Sequence, residues 1–229
     1  MKKEKRFWVL PLIMGVVLLF TYSCEKEGES DTITDRDGNV YKTVTIGTQT
    51  WMSENIKTTK YQNGDLIGST TTVSLDISNE TTPKYQWSYG GNESNSDTYG
   101  RIYTWYAATD NRGICPAGWH LPTDAEWTTL TTYLGGESVA GGKLKETATT
   151  RWLSPNTDAT NEVNFTALPG GYRNQNGEYT GIGNYGYWWS STQNSMISAW
   201  NRSMSYGSSS VGRNASYERN GHSIRCVKD

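Results

Sequence analysis

Histidine is scarce in this sequence of 229 residues, which contains two, and phenylalanine is nearly as rare at three. Two histidines are too few for the histidine-rich ligand sets of many metal enzymes. Basic residues are not in excess, because 21 Lys and Arg accompany 23 Asp and Glu, for a formal net charge of −2. Contacts with phosphates need surplus cations, so the composition argues against a nucleic-acid-binding protein.

Hydrophobic residues are also limited and make up 34% of the chain, which is low for a globular protein. Aromatic residues compensate, with 10 Trp and 15 Tyr. Each large ring removes roughly 150–250 Å² from water when it is buried, so a compact core is still expected. The 24 glycines disfavour long helical bundles.

The first 23 residues are predicted to be a signal peptide. A basic start is followed by the almost entirely apolar residues 7–20. This run is too short to span a bilayer, which takes about 20 residues, and fits the apolar region of a secretory signal. The Thr-Tyr-Ser-Cys at residues 21–24 resembles a bacterial lipobox, which implies cleavage before Cys24 and lipidation of its thiol. An ordinary signal peptide or a one-pass anchor is the alternative.

Residues 24–36 are predicted to be a flexible tether. The charged stretch at residues 25–31 cannot bury apolar area. It also resembles the export signals of Bacteroidetes-type surface lipoproteins, although a solvated linker explains it too. The sequence therefore predicts a lipid-anchored protein of the cell envelope, on the outer membrane and facing outward. Its membrane contact is expected to come from acyl chains rather than from charge.

If Cys24 carries a lipid, two of the three cysteines remain and can form one disulfide. Cys115 and Cys226 remain, 111 residues apart. In an exported chain two remaining cysteines most often pair, and closing a loop of this length stabilises a fold by up to about 4.7 kcal/mol. A reactive thiol pair is the alternative and needs acidifying neighbours, for which Arg225 is the only candidate.

Hydrophobic patterning predicts short strands and two short helices. Residues 39–52 alternate around a turn and are predicted to form a hairpin. Apolar spacing predicts a first helix over residues 99–108. A Thr-x-x-Glu capping box at Thr123 predicts the start of a second helix, which stops at Gly135. Short strands and glycine turns follow, and residues 37–229 are predicted to be one domain.

Several motifs in this region resemble the Fibrobacter succinogenes major paralogous domain, a family common in lipoproteins of Fibrobacter and Bacteroidetes. The matching stretches are residues 49–55, 99–108, 115–127, 167–173, 186–192 and 223–228. The Leu-Pro-Thr-x-x-Glu-Trp at 121–127 also resembles the formylglycine-generating-enzyme group. The resemblance implies an α+β, C-type lectin-like fold, with two short helices beside a twisted, mostly antiparallel sheet with long loops. A bridge between Cys115 and Cys226 fits it, and it implies no established chemistry.

The chain is predicted not to be an enzyme. An oxidase of the formylglycine-generating type needs a reactive cysteine pair that binds copper, and a bridge between Cys115 and Cys226 would remove it. A non-haem iron oxygenase on this scaffold needs clustered histidines, and His120 and His222 each lie inside a motif that looks structural. The sequence contains no Gly-x-Ser-x-Gly elbow, and nothing singles out a carboxylate pair for glycoside hydrolysis.

Calcium is the ion that the sequence favours most. Asp158, Asn161 and Glu162 place hard oxygen ligands close together, as a calcium loop requires. The alternative is that these side chains cap turns. Sugar ligation through calcium in the lectin manner is not expected, because residues 154–156 and 200–202 each lack an acidic ligand of the lectin motifs. No other cofactor is predicted.

Aromatic residues are the candidates for a binding surface. Tyr185, Tyr187 and Trp189 would lie on one face of a strand and Trp188 on the other, so one face is expected in the core and one toward a partner. Exposed rings commonly recognise glycans or protein surfaces. The predicted ligand-binding residues are Tyr172, Arg173, Tyr185, Tyr187, Trp189 and Trp200. The alternative is that the rings simply form the core, and this is the expectation for five tryptophans: Trp51, Trp105, Trp119, Trp127 and Trp188.

The sequence therefore predicts a non-catalytic envelope lipoprotein that acts as a binding module for a polysaccharide or another envelope protein. A structural or assembly lipoprotein, with its aromatic face buried in a larger complex, is the second interpretation. An enzyme of the formylglycine-generating type is the third. Nucleic acid is not an expected partner.

Overall fold

The computed structural model describes residues 31–229, together with Met1 and Glu4. The rest of the predicted signal peptide and the predicted lipidation site Cys24 lie outside the described residues. The strands are β1 (Thr32–Thr34), β2 (Val40–Ile46), β3 (Gln49–Met52), β4 (Gln86–Trp87), β5 (Ile102–Thr104), β6 (Trp119–His120), β7 (Gly170–Arg173), β8 (Tyr179–Ile182), β9 (Tyr185–Ser195), β10 (Ser198–Ser205), β11 (Gly212–Tyr217), β12 (Gly221–Ser223) and β13 (Val227–Lys228). The helices are α1 (Glu93–Tyr99), α2 (Trp105–Ala108), α3 (Asp124–Tyr133) and α4 (Glu137–Leu144).

These strands form two sheets. The smaller has the order β1-β2-β3-β13-β6, and the larger has the order β11-β10-β9-β7-β12-β5-β4, with β8 paired to β7. Pairing between the strands is antiparallel, except that β9 runs parallel to β7 and to β12. The predicted α+β architecture with mostly antiparallel strands is confirmed. No helix in the described part of the chain is long and apolar enough to cross a membrane.

The folded domain begins earlier than the sequence predicts. Strand β1 lies within residues 24–36, the predicted tether, and pairs with β2. Ile33 is in register with Tyr41 and packs against the core. Alternation over Thr-Ile-Thr turns the Ile33 side chain toward the core. Pairing with β2 supplies the backbone hydrogen bonds. For residues 32–36 the prediction of a flexible tether is therefore wrong.

The helices match the prediction in part. The capping box is present at the start of α3, where the Thr123 side chain accepts from the backbone of Glu126 and the Glu126 side chain accepts from the backbone of Thr123. The helix predicted over residues 99–108 is wrong in its first half, because Ile102–Thr104 is strand β5. The sequence pattern does not predict α1 and α4, so the described residues contain four short α-helices rather than two.

Tryptophan supplies much of the core. Trp127 lies between Trp51 and Trp188, with ring centroids 4.8 and 6.5 Å away. The expectation that these three rings and Trp119 belong to the core is confirmed, whereas Trp105 is half-buried. The scarce Leu and Phe are thus replaced by rings that pack at tilted and edge-on angles.

The buried Arg225 is part of a hydrogen-bond network that also holds Trp188 of strand β9 in the larger sheet. Arg225 is fully buried, and its guanidinium donates to Asn55 Oδ1 at 2.9 Å and to the backbone carbonyls of Phe165 and Thr166. The indole N–H of Trp188 donates to the same Asn55 oxygen at 2.7 Å. Burial lowers the pKa of Arg225 to about 9. This network holds one face of β9, so the orientation of the opposite face is set as well.

The predicted disulfide is confirmed. Cys115 and Cys226 are bonded, and both are buried. The bridge joins the loop before β6 to the residue that precedes β13. It therefore ties the middle of the chain to the strand that completes the smaller sheet.

Candidate functional site

The face of β9 that carries Tyr185, Tyr187 and Trp189 changes from exposed to buried along the strand. Successive side chains of a strand alternate, so these three point to the same side of the larger sheet. Tyr185 is 41% exposed, Tyr187 is half-buried and Trp189 is 0% exposed. Trp189 packs in the core beside α2, where its indole N–H donates to the carbonyl of Tyr103 at 2.8 Å. Only the end with the two tyrosines is therefore open to a ligand.

Strand β7 adds a third ring to this open end. Gly171 is in register with Gly186 in the parallel pair of β7 and β9, which places Tyr172 beside Tyr187. Their ring centroids are 5.1 Å apart in an edge-on arrangement, and those of Tyr185 and Tyr187 are 6.0 Å apart. We call Tyr172, Tyr185 and Tyr187 the tyrosine face. Because the rings support one another, they form a platform with a defined shape.

Hydroxyl and amide groups border the tyrosine face. Ser203 and Ser205 on β10 are in register with Tyr187 and Tyr185. The Asn214 amide on β11 donates to Ser203 Oγ at 2.9 Å. These side chains line a groove of about 320 Å³, and none of the residues that line it is charged. The groove can therefore hold a ligand by stacking and by neutral hydrogen bonds.

His222 of β12 lies beneath this platform and is 1% exposed. Its ring stacks on Tyr187, with 5.4 Å between centroids, and meets Trp189 edge-on at 4.2 Å. Neither ring nitrogen has a hydrogen-bond partner among the described residues. Burial lowers the pKa of His222 to about 3, so the ring is neutral at pH 7 and packs as an aromatic residue.

Two predicted ligand contacts, Arg173 and Trp189, are wrong because both side chains are 0% exposed. Arg173 points to the side of β7 opposite to Tyr172. Its guanidinium lies 4.2 Å from the centroid of the Trp87 ring and donates to backbone carbonyls within residues 73–75. Arg173 thus holds a loop against the sheet, and Trp189 belongs to the core.

Trp200 lies on the opposite side of the sheet from the tyrosine face. Its ring is half-buried under the Arg213 guanidinium, which lies 3.5 Å from the ring centroid. Arg213 pairs with Asp124 at 2.9 Å, and the buried Arg202 pairs with the same carboxylate at 2.6 Å. The structure therefore brings together Tyr172, Tyr185 and Tyr187 of the predicted residues, and it separates Trp200 from them.

The predicted calcium ligands make contacts within the protein. Glu162 pairs with Lys143 at 3.1 Å, and Asn161 Oδ1 accepts the backbone N–H of Thr166 at 2.7 Å. The second contact is the turn-capping alternative. Within residues 31–229 no group of three or more His, Cys, Asp and Glu side chains is arranged to hold a metal ion. Calcium binding by Asp158, Asn161 and Glu162 stays a prediction.

Ser203, Ser205 and Asn214 form the polar wall of the groove, and no sequence motif singles them out. Ser203 and Ser205 alternate along β10, and that alternation is a signal that could have placed them on one face. Their position opposite the tyrosines depends on the register with β9, which shifts between residues 198 and 201. Asn214 and Gly212 join the groove only through the pairing of β10 with β11.

The described residues define a class of protein, a disulfide-closed α+β domain of two sheets with an open aromatic groove on the larger one. The family model of the Fibrobacter succinogenes major domain matches residues 44–228. The chain belongs to this family, as its motifs predict. No curated protein and no solved structure is significantly similar to the chain.

Proposed function

We propose that this chain is a non-catalytic lipoprotein of the cell envelope whose folded domain binds a glycan through the tyrosine face. The observation that carries the proposal is the platform of Tyr172, Tyr185 and Tyr187 beside the hydroxyls of Ser203 and Ser205. A sugar ring has an apolar face and a polar edge, so it can stack on tyrosine while it exchanges hydrogen bonds with hydroxyl groups. A C-type lectin-like assignment of the α+β fold is part of this proposal.

The N-terminal sequence supports the proposed location of the protein in the cell envelope. Basic residues, an apolar stretch and a lipobox-like Thr-Tyr-Ser-Cys support export and lipidation of Cys24. The charged residues that follow support display on the outer membrane, facing outward. A buried disulfide agrees with folding in an oxidising compartment.

Cells that express the wild-type chain are expected to incorporate radiolabelled palmitate into it, whereas the Cys24→Ala variant is expected to incorporate none. Ser23→Ala is the matched control, because a small residue before the cysteine is retained and labelling should persist. Label in Cys24→Ala, or none in the wild type, would refute the lipid anchor. Proteolysis of intact cells then reports whether the domain faces outward.

Glycan binding by the full chain in detergent micelles is expected to weaken at least tenfold in Tyr187→Ala and in Tyr172→Ala, because each change removes one ring of the platform. A tenfold loss corresponds to about 1.4 kcal/mol of binding free energy. Affinity electrophoresis in gels that contain one polysaccharide each measures the effect, and urea unfolding shows whether the variants remain folded.

Tyr217→Ala is the matched control for these variants. Tyr217 is 49% exposed and ends β11, where strand alternation turns it away from the side that carries Asn214. Its loss should leave glycan binding unchanged. Binding that is absent in the wild type, or that is equally strong in Tyr187→Ala and Tyr217→Ala, would show that the tyrosine face is not a glycan site.

A second candidate function is assembly with another envelope protein. Met196 and Ile197, at the turn between β9 and β10, are 91% and 51% exposed. Two neighbouring apolar side chains that are exposed at a hairpin tip are unusual on a surface that contacts only water. A stoichiometric envelope protein that copurifies with the wild type but not with Met196→Asp, together with no glycan signal, would favour this function over glycan binding.

A further inference from the structure

We infer that the ligand of the groove is an uncharged polysaccharide that lies across the strands, and that Gly212 determines how closely it approaches. This inference rests on the proposed glycan-binding function and specifies its substrate class. Three observations carry it: the charge around the groove, the row of side chains that crosses the strands, and the space above Gly212.

The charged groups near the groove are turned away from it or already paired. Arg202 and Arg213 project from the other side of their strands, where both pair with Asp124. The buried Lys145 donates at 2.8–3.0 Å to the backbone carbonyls of Thr157, Ser205 and Ser208, which uses all three of its N–H donors. A carboxylated or sulfated sugar would give up hydration here without gaining a cation as a partner.

The accessible side chains form a row perpendicular to the strands. Thr180 is in register with Tyr172, Tyr187 with Ser203, and Ser203 with Gly212, while the parallel pairing of β7 and β9 joins the two halves. With strands about 4.8 Å apart, the row from β8 to β11 is about 19 Å long. A surface of this length contacts several linked sugar units, so affinity should rise with the length of the oligosaccharide.

Gly212 keeps the polar end of this row open. A Cβ at this position would lie 2.6 Å from Ser203 Oγ and 2.9 Å from Asn214 Nδ2, which is closer than atoms of this kind approach. Both atoms are the ends of side chains, so an added methyl group would displace them and leave the backbone in place. The bare glycine therefore leaves the hydroxyl and the amide where a ligand can reach them.

The test measures binding of the full chain in detergent micelles to two sets of probes. The neutral set is xyloglucan, mixed-linkage β-glucan and mannan, each also as oligosaccharides of increasing length. The anionic set is polygalacturonate, hyaluronate and chondroitin sulfate. We expect binding to a neutral probe, with affinity that rises with length and is unchanged by EDTA, and no binding to the anionic probes.

Gly212→Ala is expected to weaken binding to the neutral probe about tenfold or more without loss of folding. Gly207→Ala is the matched control, because a Cβ at Gly207 meets nothing within 4 Å, and it should bind as the wild type does. Equal binding by Gly212→Ala and Gly207→Ala would overturn the role of Gly212.

The outcomes separate this inference from the proposed function. Binding only to anionic probes that is lost in Tyr187→Ala, or binding that EDTA abolishes, would overturn the inference while the tyrosine face remained a glycan site. Affinity for a single sugar equal to that for its oligomers would overturn the placement across the strands. No binding to any probe, or binding that Tyr172→Ala and Tyr187→Ala leave unchanged, would overturn the proposed function itself.

Discussion

Between pH 6.5 and pH 4.5 the free energy of unfolding is expected to fall by about 1.4 kcal/mol per pH unit. The reason is that His222 is neutral in the folded state and protonated in the unfolded state. Burial lowers its pKa from the ordinary 6.5 to about 3. In this range the unfolded chain binds a proton at His222 and the folded chain does not. Acidification therefore favours the unfolded state. The stabilisation that comes from the neutral His222 ring is fully present above pH 6.5 and is lost as the pH falls toward 3.

Other titrating groups contribute little to the slope in the upper part of this window. Hydrogen bonds lower the pKa of Asp65, Asp76 and Asp110, and at Asp37 they outweigh the opposing effect of burial. The ordinary value of these carboxyls is 3.8, so their contribution to stability is lost mainly below pH 4.5.

Burial opposes ionisation of Asp124 and Glu126, but their hydrogen bonds outweigh it and lower the pKa of both carboxyls, so their contribution is lost mainly below pH 4.5. Burial alone would lower the pKa of His120, but its hydrogen bonds with Asp229 and Glu126 raise it. A raised pKa gives stability that is fully present below 6.5, so His120 adds no slope there.

The substitution His222→Phe tests this assignment. Phenylalanine keeps a ring against Tyr172, Tyr187 and Trp189 and removes two nitrogens that lack partners among the described residues. Urea unfolding at half-unit steps of pH, followed by tryptophan fluorescence, should show no slope between pH 6.5 and 4.5 in this variant. His120→Gln is the control and should keep the wild-type slope. A slope that persists in His222→Phe would place the titrating group elsewhere.

The elements that could be predicted from the sequence are those that local chemistry determines. The capping box at Thr123 fixes the start of α3, because donor and acceptor lie three residues apart in the chain. The β2–β3 hairpin follows from alternation around one turn. The common side of Tyr185 and Tyr187 follows from the period of a strand. None of these depends on what packs against the element.

Helix α4 shows what local chemistry does not reveal. Its sequence contains Gly141 and Gly142, which disfavour a helix by roughly 1 kcal/mol each relative to alanine. A Cβ on Gly141 would lie 2.4 Å from the carbonyl oxygen of Ser210, and one on Gly142 would lie 2.5 Å from that of Asp158. The segments at Asp158 and Ser210 pack closely on the glycine side of the helix, and the segment at Ser210 comes from a distant part of the chain.

The same limit applies to strand β5 and to the candidate site. Residues 102–104 have helical spacing, yet they pair with β12, more than a hundred residues later, and so form a strand. Trp189 shares its side of β9 with Tyr187, but it lies where α2 and the core cover the sheet. A period of two indicates the side of a strand, not the depth at which a residue is buried. The polar wall could not be predicted because it depends on the register of three strands.

Removal of the Cys115–Cys226 bridge is expected to lower the free energy of unfolding by about 2–4 kcal/mol. The bond closes a loop with a sequence separation of 111 residues, so without it the unfolded chain gains conformational freedom that the folded state does not share. For a domain of this size, such a loss corresponds to a fall of roughly 10 °C in the midpoint of thermal unfolding. The change should also loosen β13, which follows Cys226 and lies between β3 and β6.

The measurement compares Cys24→Ala with the triple variant Cys24→Ala, Cys115→Ala, Cys226→Ala, so that only the bridge differs. Thiol titration of the exported, denatured and unreduced single variant should find no free thiol, and two after reduction. Two free thiols without reduction, or equal stability of both variants, would contradict a structural bridge. A confirmed bridge would also bear on chemistry, because a sulfur held in a disulfide is neither a nucleophile nor a thiolate ligand for copper. With the bridge intact, Cys115 and Cys226 supply no thiol, and the proposed glycan binding rests on the tyrosine face and the groove beside it.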